Sequence, residues 1–142
     1  MRFLISILLV FLAGQVAAEE TANLQVTVSG VTPAKGQVIV SLFDEKKAWL
    51  KKPSLVLTEN VKDSDSVDVI FSSLGVGLYA VSVFYDQDSD GELDTGMFRI
   101  PKEPVGFSNN ARRKFGPAKW SQTSFRLEQD MEMTINVINV LD

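Results

Sequence analysis

The sequence contains no cysteine and no histidine. The first absence excludes a disulfide framework and thiolate chemistry. The second removes the usual general base, the Ser/His and Cys/His nucleophile pairs and the commonest zinc ligand. Long apolar runs are scarce as well. One covers residues 3–13, behind Met1-Arg2 and ahead of Val16-Ala17-Ala18. It is too short for a bilayer core of about 30 Å, which needs about 20 residues. A cationic start, a short apolar segment and small residues at its end form the pattern of a secretory signal peptide, with a buried N-terminal helix as the alternative. We therefore expect residues 1–18 to be a cleaved leader. Residues 19–142 would form a single exported domain, periplasmic or secreted, with no membrane span.

Positive charge is also in short supply: 14 Lys and Arg stand against 18 Asp and Glu, a net charge of −4. Loss of Arg2 with the leader makes the remainder more acidic still. Such a domain is repelled by phosphate backbones, so nucleic acid is not an expected partner. Its length suits one hydrophobic core.

What the chain does have is alternation. Residues 24–28 switch strictly between apolar and polar, the period of a half-buried strand. Residues 37–43 are rich in β-branched side chains. Further runs at 55–57, 67–71, 78–85, 123–127 and 131–141 complete seven strands, with Gly and Pro between them. In the last run the alternation of Met133, Ile135 and Val137 shifts at Ile138, which predicts a bulge. Residues 44–52 begin acidic and end basic, which fits one or two helical turns attached to the body through Trp49 and Leu50. Tyr79 follows the Gly75-Val76-Gly77 turn and is placed to return its hydroxyl to upstream backbone, as in a tyrosine corner. The expected fold is all-β: an antiparallel β-sandwich with one short helical turn and a long ordered loop. That loop, residues 95–122, carries Phe98, Ile100, Val105, Phe107, Phe115 and Trp120, and is expected to fold over one end of the sandwich.

The densest chemistry lies in Asp86-Gln87-Asp88-Ser89-Asp90-Gly91-Glu92-Leu93-Asp94, five carboxylates in nine residues without a cation among them. A calcium loop needs hard oxygen ligands on alternate residues, so that one short segment curls around the ion. Asp86, Asp88 and Asp90 fall at its first, third and fifth positions, and Gly91 at the sixth, where a sharp turn is required. Glu92 would give its backbone carbonyl, and Asp94 would act directly or through water. The match fails at the twelfth position, where Met97 replaces a bidentate glutamate, and a strand rather than a helix leads in. Glu103, Asn109, Asn110 or a loop carbonyl are the available substitutes. With that ligand missing, the expected affinity is the weak extracellular class, on the order of 10⁻⁴–10⁻³ M. Calcium is the expected ion. Zinc lacks its ligands, and magnesium demands tighter octahedral geometry. The alternative is a solvated hairpin tip with Asp90-Gly91 serving the turn alone.

Arg112-Arg113-Lys114 and Lys119 form the opposite charge feature. They would hold an anionic ligand, or stay solvated, or pair with the acidic loop. Ser108 lacks the basic partner a nucleophile needs.

Several of these segments together look familiar. Residues 78–81 with Phe84, the acidic run with Thr95, residues 100–111 and Phe115-Gly116-Pro117 resemble the bacterial secreted family known as domain of unknown function 2141. The Leu42-Phe43 and Trp49-Leu50 pairs fit its earlier half. The resemblance covers essentially all of residues 19–142, and the run from Pro101 to Pro117 is its most specific part. It implies a small exported all-β domain, similar to immunoglobulin-like or transthyretin-like sandwiches, and brings no catalytic residue with it. The family commonly has asparagines in the acidic loop, where this chain has aspartates.

The function expected is therefore a non-enzymatic binding module. A calcium-ordered loop would support a contact surface drawn from Phe107, Asn109, Asn110, Arg112, Arg113, Phe115 and Trp120. Its partner would be an envelope protein or a glycan. The alternatives are a purely structural envelope protein, or a hydrolase using two of the loop carboxylates.

Overall fold

Every second residue from Ala22 to Val28 is apolar or small, and β1 (Thr21–Ser29) buries Ala22, Leu24, Val26 and Val28 on one face. The computed structural model, which describes residues 14–15 and 18–142, places β1 at the centre of a three-stranded sheet. The leader expected over residues 1–18 lies almost wholly outside the described residues. On one side of β1 runs β4 (Ser66–Gly75), antiparallel, burying Val67, Val69, Phe71 and Leu74. On the other runs β8 (Met131–Asn136).

The second sheet has the order β3 (Leu55–Asn60), β2 (Gln37–Phe43), β5 (Gly77–Asp86), β6 (Val105–Phe107). The far edge of β5 is shared. Its start pairs with β7 (Phe125–Leu127) and its later half with β6. Val38, Val40 and Leu42 of β2 and Val81, Val83 and Tyr85 of β5 meet Leu24, Val26, Val28, Phe71 and Ile135 of the first sheet in one apolar cluster. This is an all-β, sandwich-like fold, and among the described residues no helix is long and apolar enough to cross a membrane.

The strand pattern departs from the expected one at three points. An eighth strand, β6, arises from the long loop. β8 runs parallel to β1 rather than antiparallel. Only a short hairpin forces antiparallel neighbours, and here most of the chain lies between the two strands. The bulge expected at Ile138 does not form. Instead β8 ends at Asn136, Val137 donates to the Ser29 carbonyl at 3.0 Å, and Ile138 bridges to Val105 of the other sheet. The broken alternation marks a chain leaving one sheet for the other. Gly106 makes that crossing possible, because a Cβ there would stand 2.7 Å from Ile135 and 2.8 Å from the Asn136 carbonyl.

The tyrosine corner is present: the Tyr79 hydroxyl donates to the Gly75 carbonyl at 2.6 Å. A second, buried tyrosine does similar work. Tyr85 donates to the Lys35 carbonyl at 2.6 Å and accepts from the Thr32 N–H, fixing the turn between β1 and β2. Residues 44–52, expected to make one or two helical turns, form a 3-10 turn at Lys46–Ala48. Trp49 anchors it, edge-on to Phe43 at 4.9 Å. Leu50 does not: it is 40% exposed, its backbone turned to φ +56°. A four-residue helix, α1 (Trp120–Thr123), replaces the expected start of β7.

Register fixes where the two polar features sit. Gln37 pairs with Asp86 and Phe43 with Ala80. The acidic loop therefore leaves one end of the β2–β5 pair and the Trp49 turn leaves the other, about 20 Å apart at about 3.4 Å per residue.

Candidate functional site

The last residue of β5, Asp86, is fully buried. Its carboxylate is held from several sides: Gln37 Nε2 donates at 2.6 Å, the Gly91 N–H at 2.8 Å and the Asp90 N–H at 3.2 Å. The loop thus folds back over its own first side chain. Asp88 accepts from the Asp90 N–H at 3.3 Å and Asp90 from the Glu92 N–H at 2.9 Å, so successive carboxylates curl toward a common side. Gly91 supplies the turn at φ +80°. Before the loop, Gly36 lies against it so closely that a Cβ would stand 2.5 Å from the Asp86 carbonyl.

The chain then returns. Asp94 and Lys102 close a narrow hairpin, with the Lys102 N–H on the Asp94 carbonyl at 2.8 Å and a bridge between Thr95 and Pro101. This return brings in Glu103, which is only 4% exposed. One of its oxygens accepts the Gln87 N–H at 3.0 Å and the other the Asp94 N–H at 3.2 Å, spanning the loop. Carboxylate oxygens of Asp86, Asp88 and Glu103 lie within 4.8 Å of one another, and so do those of Asp88, Asp90 and Asp94. Asp88 belongs to both groups.

Five acids this close tune one another. Burial alone would raise Asp86, but the hydrogen bonds from Gln37 and Gly91 outweigh it and hold the carboxyl below its ordinary value. Desolvation and the hydrogen bond shared with Asp86 push Asp88 up to about 6. Burial also raises Glu103. Asp86 Oδ2 accepts two N–H groups, but its Oδ1 and the Glu103 oxygens accept one each and keep a second lone pair. The donor set is therefore hard, anionic and clustered, the chemistry of an oxygen-preferring divalent cation.

Of the residues expected as metal ligands, Asp86, Asp88, Asp90 and Asp94 join these groups, while the Glu92 side chain is exposed and outside them. Met97, at the mismatched position, is 78% exposed at the hairpin tip. Glu103, one of the expected substitutes, joins Asp86 and Asp88. Asn109 and Asn110, the other substitutes, are engaged elsewhere. Asn109 Nδ2 donates to the Gln122 and Ser124 carbonyls, and Asn110 bonds both Thr134 and Asn136 of β8.

The residues expected to bind a partner fall into three sets of contacts. Asn109 and Asn110 tie the long loop to α1 and β8. Phe107 and Trp120 pack with Trp49 at 5.9 Å and 6.2 Å. Arg112, Arg113 and Phe115 form an exposed turn in which Arg113 donates to the Pro117 carbonyl and the Lys114 ammonium lies 5.7 Å from the Phe115 ring centre. Among the described residues this basic turn makes no ion pair with the acidic loop. The apolar lid is also partial. Phe98 and Phe115 are 89% and 77% exposed, because each sits on a tip held away from the core. Ser108 is fully buried, donating to the Thr123 carbonyl at 2.6 Å and accepting from the Val81 N–H. It is a structural staple.

Residues 26–136, from within β1 to the end of β8, match the family described as "Uncharacterized protein conserved in bacteria (DUF2141)". The chain belongs to that family, as the segments around the acidic loop and residues 100–117 suggested. No curated protein and no solved structure shows significant similarity to it.

Proposed function

We propose that this chain is an exported, non-enzymatic binding module whose acidic loop is ordered by calcium. Export rests on the N-terminal pattern of residues 1–18. The observation that carries the metal reading is Glu103. It closes the loop from the opposite side, and it supplies the acid that Met97 does not. Asp86, Asp88, Asp90, Asp94 and Glu103 would hold the ion with side-chain oxygens, and Glu92 with its carbonyl. The adaptable coordination of calcium suits so mixed a set better than the strict octahedron of magnesium. The ion would neutralise the crowded acids and fix the Asp94–Lys102 hairpin, lowering the ordering cost of binding an envelope protein or glycan along the long loop.

A hydrolase reading gains from the raised Asp88 and Glu103, since a general acid needs such a shift. It is weakened by the burial of Glu103, whose two carboxylate oxygens already accept backbone N–H groups of the loop. A purely structural role is weakened by the exposed Met97, Phe98 and Phe115. The test is calcium binding followed by thermal unfolding, with Glu103→Gln and Asp88→Asn as the variants; loss of the calcium response in both supports the site. An equal response in wild type and both variants contradicts it.

A further inference from the structure

At the end of the sheet away from the acidic loop, a shallow cleft of about 890 Å³ opens between the 3-10 turn and α1. It is lined by Trp49 and Trp120 and by four lysines, Lys46, Lys47, Lys51 and Lys119. Both tryptophans of the chain are here. Their rings stand 6.2 Å apart at 68°, edge to face, and Phe43 and Phe107 support Trp49 from behind. The Trp49 indole donates to the Ala118 carbonyl at 2.9 Å, which fixes its plane. The Trp49 wall of this cleft is thus held in place.

The charge is the unexpected part. In a chain with more acids than bases, four of its 14 cations surround this one cleft. Among the described residues only Lys47 of the four has an ionic partner, Glu45 at 3.5 Å. Like charges gathered this way repel one another, and an anion bound between them relieves that repulsion. A flat aromatic wall beside such cations fits a ring with an apolar face and an anionic rim.

We propose that this cleft binds an acidic oligosaccharide. A uronic-acid ring would lay its C–H face on the Trp120 indole and direct its carboxylate to Lys46 or Lys119. Single-stranded nucleic acid combines the same two elements, but it needs a basic groove tracking about four or more nucleotides. Here the cations close around one short cleft with Glu45 in its wall. This deepens the binding-module reading by giving its tryptophan end a ligand class, and it requires no metal.

The two tryptophans make the cleft its own reporter. Fluorescence excited at the indole band should change saturably as tetragalacturonate is added in EDTA. In the Lys46→Gln/Lys119→Gln double variant, whose changes are confined to exposed side chains, the affinity should fall about tenfold. Raised salt should weaken it too. Trp120→Phe keeps an aromatic wall and tests whether the signal arises there. No change up to about 10 mM tetragalacturonate, weaker than any specific site, would overturn the proposal. So would an equal response to neutral cellotetraose, or a tighter one to a four-nucleotide oligothymidylate. Because EDTA is present, none of these outcomes bears on the acidic loop, and failure of the calcium test leaves this cleft standing.

Discussion

Asp86 and Glu103 bring carboxylate oxygens within 4.8 Å of each other, although a complete hairpin separates them in the chain. Both are buried, and each is pinned by backbone N–H groups of the same loop. Two buried acids held this way repel each other unless one is protonated or a cation lies between them.

The first consequence is a pH dependence in EDTA. Asp88 is raised from its ordinary 3.8 to about 6, and Glu103 is raised as well. A carboxyl with a raised folded value stabilises the fold while protonated, and that contribution is lost as pH rises through the folded value. Asp86, held low, acts in the opposite sense, with its contribution lost as pH falls below the ordinary 3.8. The metal-free melting temperature should therefore fall between about pH 4 and pH 7 through Asp88. In Asp88→Asn that slope should flatten. An unchanged slope in the variant would remove Asp88 as its source.

Gly36→Ala reaches the loop from outside it. The glycine has φ +72° and meets the Asp86 carbonyl and Gln87 directly. A left-handed alanine costs about 1–2 kcal/mol, and the overlap adds about 1–3 kcal/mol. Urea unfolding should show that loss. Calcium affinity should fall with it, because the base of the loop must move.

The two tyrosines should differ. Tyr85→Phe removes a buried hydroxyl and strands the Thr32 N–H, at a cost of about 1–3 kcal/mol. Tyr79→Phe loses one hydrogen bond in a more open corner, about 1 kcal/mol. Equal losses in denaturant titrations would mean that burial at Tyr85 does not set the difference.

Much of this fold was legible in the sequence. Seven strands could be read from alternation or from short apolar runs, and the expected run at 37–43 coincides with β2. β6 could not, because glycine interrupts its two apolar residues and prolines at 101 and 104 stand just ahead of it. The parallel partnership of β1 and β8 was hidden because alternation gives a strand's faces and not its neighbour's direction. The acidic loop could be read almost position by position. Glu103 was visible only as one of several substitutes, since its place depends on a hairpin return that no local pattern announces. The tryptophan cleft was legible only in pieces: Trp120 stood among the expected contact residues and Lys119 among the cations for an anionic ligand, but Trp49 looked like an anchor alone, and only the sheet brings them together.

Met97→Ala separates the two candidates for the missing acid. Met97 is exposed at the tip, so the change should leave both stability and calcium response within about 0.5 kcal/mol of wild type. Glu103→Gln should weaken the calcium response by about tenfold or more. If Met97→Ala were the damaging change, Glu103 would not be closing the site.

The central claim is tested most directly by thermal unfolding of the purified chain at pH 7, in EDTA and then in millimolar calcium or magnesium. A melting temperature that rises with calcium, rises less with magnesium and stays flat in Asp88→Ala/Asp90→Ala is the predicted result, by linkage of binding to the folded state. No shift with either ion would contradict it, and the five carboxylates would then be a self-braced, solvated turn.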